Sequence, residues 1–287
     1  RLMDHIAAET GHSRIDVRRV NMIKPSQIPY EMVCGGTIDS GEMTDLFDMA
    51  LAMADVAGFA KRKAVSAENG KLRGIGFGMY LEQCGNGADD GVDIEFQDDG
   101  RVILHGSQQC NGQGHQTTVT QILSDRLGYD ADLITVKQGD SNRSPRGTTG
   151  GARMTAVLGS ATTVAAAKII DLAKPFAAEA LECDEDDLNF TDGLFLRQDT
   201  NRSIAIEDLV RQLAISGQKH RLNWAQPYET DGATYPYGCH IIELEIDRQT
   251  CAVEIASYHV VDDFGLVINP LTLEGQIHGG IAQGVGQ

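Results

Sequence analysis

The sequence predicts an α+β fold: two related two-layer α/β units with mixed sheets and hairpins, preceded by a helical segment. Three observations predict it. Apolar residues recur at helical spacing over residues 1–69 and change to alternation from Arg73 onward. A hairpin, a polar glycine loop and a helix succeed one another over 91–127, and the same order returns over 238–287. Glycine-rich turns feed three helices, at Gly112, at Gly147 and in the stretch from Gly275 to Gly286.

The elements follow in order. Leu2, Ile6 and Ala7 mark a first helix that Gly11 stops, and Ser13 with Asp16 forms a capping-box signal for a short helix to Val20. Pro25, Pro29 and Gly35-Gly36 make a loop. Thr44 is the expected cap of a helix with Leu46, Met49, Ala50, Met53 and Ala54 on one face, and Gly58 interrupts it. Strands are predicted over 74–82, 92–96, 102–106 and 133–137, with Asp98-Asp99-Gly100 as a hairpin turn. Gly74, Gly76 and Gly78 read as strand glycines, not as a dinucleotide fingerprint. Helices are predicted over 117–127, 155–181 and 206–215, then a hairpin over 238–262 and a last helix from Asn269-Pro270 or Thr272. This order divides the chain into a helical segment (1–69) continuing a truncated upstream domain, a first α+β ligand-binding unit (70–183), an inserted hairpin–helix unit (184–235) and a second α+β unit (236–287) truncated at its C-terminus. Both ends, Arg1 and Gln287, fall inside helical patterns and read as cut.

Composition narrows the function. With 41 acidic against 24 basic residues the net charge is −17, a poor match for nucleic acid or an anionic membrane. No apolar run of membrane-spanning length and no signal peptide stand out. Cys34, Cys84, Cys110, Cys183, Cys239 and Cys251 show no zinc spacing, so buried thiols in a reducing, cytoplasmic setting are expected.

The chemistry sits in the glycine turns. Gly112-Gln113-Gly114-His115-Gln116-Thr117 joins a strand to a helix, and such a turn presents backbone N–H groups and the positive end of a helix dipole to an anion. Arg143, Arg146 and Arg153 stand beside the small residues Gly147 to Gly151 at the next helix start, placed for phosphate oxygens or for surface carboxylates. Gly275, Gly279, Gly280, Gly284 and Gly286 cost the last helix about 1 kcal/mol each relative to alanine. Close packing or a ligand lying on bare backbone beside Gln276 and Gln283 repays that. His115 has no second His or Cys at ligand spacing, and His105, His240, His259 and His278 read as packing residues. The pairs Asp89-Asp90 and Asp262-Asp263 lie at turns, where solvation is expected.

Taken together, R-L-M-D-H-I-A-A-E-T-G (1–11), G-Q-G-H-Q-T (112–117), G-D-S (139–141), G-T-T-G-G-A-R (147–153) and D-F-G-L-V-I-N-P-L-T-L-E-G-Q-I-H-G-G-I-A-Q-G-V-G (263–286) resemble the molybdenum-binding large subunit of the xanthine oxidase, aldehyde oxidoreductase and carbon monoxide dehydrogenase family. The resemblance covers most of the chain and is weakest over 184–235.

That resemblance implies a molybdopterin-binding fold and a molybdopterin cofactor carrying molybdenum, often in its cytosine dinucleotide form. Carried over by motif, the cofactor-binding residues are Gly112, Gln113, Gly114, His115, Thr117, Gly150, Gly151, Ala152, Arg153 and Gln283. The metal is held by the cofactor, so no protein metal ligand is implied. The family reaction inserts water-derived oxygen at an aldehyde, an N-heterocycle C–H or carbon monoxide, with a glutamate as base. Electrons leave through iron–sulfur and FAD partners in a complex that is commonly a homodimer. The family's glutamate lies beyond Gln287, so no carboxylate of this chain, Glu82 and Glu274 included, is a candidate base, and this stretch alone is expected to be inactive. A non-catalytic pyrophosphate-binding or interaction module of the same fold is the competing reading.

Overall fold

A computed structural model describes residues 1–85, 89–143, 147–198, 200–230 and 232–286. The first half runs α1 (Leu2–Thr10), α2 (Arg14–Val20), β1 (Tyr30–Glu31), β2 (Thr37–Ile38), α3 (Met43–Met53), α4 (Phe59–Glu68), β3 (Lys71–Leu81), β4 (Asp89–Phe96), β5 (Val102–Gly106), α5 (His115–Leu127) and β6 (Ile134–Gln138). The second runs α6 (Met154–Leu181), β7 (Leu188–Thr191), β8 (Leu194–Arg197), β9 (Ser203–Ala205), α7 (Ile206–Ile215), β10 (Trp224–Glu229), β11 (Tyr237–Asp247), β12 (Val253–Asp263) and α8 (Pro270–Val285).

These elements form two compact units, each assembled from two stretches of chain: 1–83 with 234–265, and 84–233 with 266–287. The boundaries at 69/70, 183/184 and 235/236 read from sequence order do not coincide with them, because strand pairing is non-local. β3 pairs antiparallel with β11 along their whole length, Leu81 opposite Tyr237 and Lys71 opposite Asp247. The repeated hairpin–loop–helix order is likewise split: β11 and β12 belong to the first unit and α8 to the second.

In the first unit the sheet has the order β12-β11-β3 and is antiparallel throughout, not mixed. Ile38, Met43, Leu46, Phe47, Ala50, Tyr237, Cys239 and Ile241 form its core. Ser13 caps α2, its hydroxyl accepting from the N–H groups of Ile15 and Asp16. Thr44 is not a cap: α3 begins one residue earlier, and a tertiary contact fixes its start, the Glu42 N–H donating to the Tyr237 hydroxyl at 2.8 Å. Glu243 is buried between Arg62 of α4 and Arg73 of β3, at 2.6 Å from each. Asp262 is also buried, not solvated: it accepts from Tyr80 at 3.0 Å and lies 3.5 Å from His240 Nε2.

In the second unit the sheet order is β10-β4-β5-β6, with β5 and β6 parallel and the other pairs antiparallel. Val92, Ile94, Phe96, Leu104 and Val136 meet Val119, Leu123, Leu127, Leu158, Ala161, Ala165 and Ile169 of α5 and α6 in one core. α6 is long and apolar enough to cross a membrane, contrary to the reading of the sequence; half of that window is buried inside the unit, as in a core helix. The antiparallel sheet β7-β8-β9 and α7 pack into the same core through Leu188, Phe195, Ile206 and Leu209. β10 was not foreseen because Pro227 interrupts its pattern; proline is tolerated there since β10 is an edge strand.

Two further expectations are corrected. Cys84 and Cys239 are buried, but Cys34 and Cys251 are exposed and Cys110 and Cys183 are intermediate. His278 does not pack: its side chain is 70% exposed on α8.

Candidate functional site

Two helices of the second unit start without a side-chain cap. α5 begins after Gly114 at φ 76° and α6 after Arg153, and neither boundary residue caps with its side chain. The first backbone N–H groups of α6 therefore remain available to a ligand, while those at the start of α5 face the Cys110 sulfur. By contrast, α8 is capped by Asn269, whose Oδ1 accepts from the Thr272 N–H at 2.9 Å.

The turn before α5 is held from within. The Gln113 Oε1 accepts from the Asn111 N–H at 2.5 Å, so that oxygen is engaged inside the turn. The Gly112 N–H lies 3.4 Å from the Cys110 Sγ. Burial pushes the Cys110 thiol up, but the backbone N–H groups of Gly112, His115, Gly114 and Gln113 outweigh it, and its value falls below that of an ordinary thiol. The sulfur thus reports a local field that favours negative charge. His115 is buried, which lowers its value and keeps the ring neutral, whereas Thr117 is exposed on the first turn of α5.

The loop before α6 is tied to this turn. A side chain on Gly147 would collide with Asp90 and Ser107, at 2.5 and 2.6 Å. The Thr149 hydroxyl donates to the Gln109 carbonyl. Gly150 precedes two left-handed residues, Gly151 at φ 58° and Ala152 at φ 48°. For alanine that conformation costs about 1–2 kcal/mol, and such strain concentrates at ligand-holding turns.

The two arginines that can be compared behave differently. Arg143 pairs with Asp93 at 3.4 Å and with Glu95, so it is a surface ion pair. Arg153 has no carboxylate partner among the described residues, and its Nε is buried without a hydrogen bond. Arg146 lies outside the described residues. A buried guanidinium nitrogen left unpaired is costly, and an anion at the head of α6 would remove that cost.

The start of α8 joins the same cluster. A Cβ on Gly114 would stand 2.9 Å from Thr272, and the Asn269 Nδ2 donates to the Gln121 Oε1 of α5 at 2.7 Å. Gln283 is not brought there. It sits exposed near the end of α8, about 16 Å along the axis from Thr272. Gly275, Gly279, Gly280 and Gly284 meet nothing within 4 Å, so packing among the described residues does not offset their cost. Among the described residues no group of three or more His, Cys, Asp or Glu stands together.

Four residues beneath the turns were not foreseen. Asp90 is buried, not solvated; it accepts from the Ser107 hydroxyl at 2.8 Å and from the Gln108 Nε2 at 2.7 Å. The side chain of Asp89 is outside the description. The Gln138 amide donates to the Gln108 carbonyl and lies 3.4 Å from the His115 Nδ1. The polar run Ser107-Gln108-Gln109-Cys110-Asn111 directly before the glycines is the one signal of this in the sequence.

The family described as the molybdopterin cofactor-binding domain matches residues 49–287. The chain is 30% identical to the carbon monoxide dehydrogenase large chain of Hydrogenophaga pseudoflava, over 99% of its own length and 38% of the relative's. It is similar to the structure of CO dehydrogenase from Oligotropha carboxidovorans, with a TM-score of 0.87, 28% identity, and 97% and 37% of the two chains covered. Quinoline 2-oxidoreductase from Pseudomonas putida 86 gives a TM-score of 0.88 at 27% identity, covering 99% of this chain and 39% of that one. The chain thus spans a little over a third of the relatives it matches.

Proposed function

We propose that this chain, which belongs to the molybdopterin cofactor-binding domain family of xanthine dehydrogenase, aldehyde oxidoreductase and carbon monoxide dehydrogenase large subunits, is the part of a molybdenum hydroxylase that grips the phosphorylated end of its cofactor. The observation that carries this reading is Arg153: a buried, unpaired guanidinium nitrogen beside an uncapped helix start. The residues present fit the group. Backbone N–H groups of Gly112 to His115 and those at the head of α6 are donors, as phosphoryl oxygens require. Arg153 supplies the compensating charge in a chain of net charge −17. His115, neutral by burial, adds no second charge.

When bound, the cofactor supplies the redox chemistry of oxygen insertion at an aldehyde, an N-heterocycle C–H or carbon monoxide, and a cytosine dinucleotide form fits the pyrophosphate reading. The residues of this chain bind and orient it; none is assigned as the base. Electrons would pass to iron–sulfur and FAD partners in a larger complex that is itself a homodimer. The test is the full-length protein. Mass analysis should find molybdenum and a released pterin nucleotide near one per large subunit, and Arg153→Gln should lower both together. Absence of pterin and metal from the wild-type complex would end this reading in favour of a non-catalytic module.

A further inference from the structure

The hydrogen bonds beneath the glycine turn settle which of its groups donate. Gln138 ends β6, directly opposite Gly106 in the parallel register. A Cβ on Gly106 would press on Leu158 at 3.3 Å and stand in ordinary contact, 3.6 Å, with the Gln138 Cγ, which places Gln138 across the end of β5. Its Nε2 donates to the Gln108 carbonyl. An amide nitrogen belongs at that position and an amide oxygen does not, because the carbonyl can only accept. The orientation of the Gln138 amide is therefore fixed. The same nitrogen lies 3.4 Å from the His115 Nδ1; an amide nitrogen only donates, so a hydrogen bond between them requires Nδ1 to accept.

We propose that Gln138 is a positioning residue that holds His115 as the neutral tautomer with its proton on Nε2, so that the turn before α5 offers donors and no ring lone pair to its ligand. Both ends of the 107–115 loop are fixed by this one side chain: the Gln108 carbonyl at its entry and the imidazole at its exit. Gln108 is held in turn, since its own Nε2 donates to the buried Asp90. The relay Asp90–Gln108–Gln138–His115 thus runs from β4 through the loop and β6 to α5. Burial keeps the ring uncharged, so tautomer rather than charge decides what it presents. A donor-only turn selects an acceptor-rich anion such as a phosphoryl or pyrophosphate group over a cation or a donor-rich edge. This selectivity rests on the cofactor reading above; the tautomer assignment does not.

The test separates the two. Histidine-selective 15N NMR of the 287-residue chain, with the resonance assigned through His115→Gln, reads the tautomer without any ligand. The wild type should show the Nε2–H pattern. Gln138→Glu, which only accepts when ionised, should move the proton to Nδ1, and Gln138→Met, near-isosteric and apolar, should give a mixture. Titration with inorganic pyrophosphate should then show about twofold weaker binding in Gln138→Met than in the wild type, as expected when about half of the rings hold the competent tautomer. An Nδ1–H wild-type ring, or a tautomer indifferent to Gln138→Glu, would overturn the inference even if a variant failed to fold in the other arm. A correct tautomer response with no pyrophosphate binding in the wild type would uphold the Gln138 role and remove the cofactor reading instead.

Discussion

Gly114 lies against Thr272: a Cβ on the glycine would stand 2.9 Å from the threonine methyl, at a backbone φ of 76°. Two separate reasons therefore require glycine where α5 begins and α8 approaches it. Gly114→Ala adds left-handed strain to a steric overlap, and about 2–3 kcal/mol of stability should be lost. Urea unfolding of the chain measures it. Gly279 is the control, since nothing lies within 4 Å of it and it is helical. Gly279→Ala should stabilise the chain by about 0.5–1 kcal/mol, yet lower cofactor content if a ligand lies on that bare face in the full-length protein.

Arg153 and Arg143 offer a matched comparison. Charge-assisted hydrogen bonds contribute about 1.5–3 kcal/mol, so Arg153→Gln should weaken pyrophosphate binding roughly tenfold to a hundredfold. Arg143 already pairs with Asp93 and Glu95 at the surface, and Arg143→Gln should change binding by less than about threefold. Isothermal titration of both variants at one salt concentration decides between them.

The acidic side of the first unit predicts a pH dependence. Hydrogen bonds from Ser66 and Lys71 hold Glu245 down at about 2, against an ordinary 4.5. Burial pushes Glu243 up, but Arg62 and Arg73 outweigh it and its value also falls. A carboxylate lowered in the folded state adds stability above its unfolded value, and loses it as pH falls through its folded value. The thermal midpoint followed by circular dichroism should therefore drop between about pH 5 and pH 2. Glu245→Gln should flatten that drop while lowering the midpoint at neutral pH.

Gly238 makes room for a buried polar cluster. A Cβ there would overlap the Asp262 Oδ1 at 1.8 Å and the Tyr80 ring at 2.6 Å. Asp262 accepts from Tyr80, and the Tyr258 hydroxyl lies 2.9 Å from the His240 Nδ1. Gly238→Ala should cost more than about 2 kcal/mol, through both overlap and broken hydrogen bonds. Gly74→Ala, in the neighbouring strand with nothing within 4 Å, should be neutral or mildly stabilising. Guanidinium unfolding of the pair tests the contrast.

Local pattern carried much of the fold. Val102–Gly106 and Ile206–Ile215 match their predicted bounds because alternation and helical periodicity are properties of a short stretch. What failed was non-local. β10 hides behind Pro227, and the partner of β3 lies more than 150 residues away at β11. Asp90 and Asp262 look like solvated turn residues until the tyrosine, serine and glutamine that bury them are brought in from other elements. The candidate site was legible where glycine and arginine chemistry is local, at Gly112 to His115 and Gly150 to Arg153. The supporting glutamines were not, since nothing in the spacing of Gln108 and Gln138 says that they meet.

The starts of α5 and α6 are proposed to grip one phosphorylated group together. Backbone hydrogen exchange of the chain with and without inorganic pyrophosphate tests it directly. Exchange should slow at residues 112–117 and 150–155 in parallel, with both effects lost in Arg153→Gln. Protection confined to one of the two starts, or protection that survives Arg153→Gln unchanged, would contradict it.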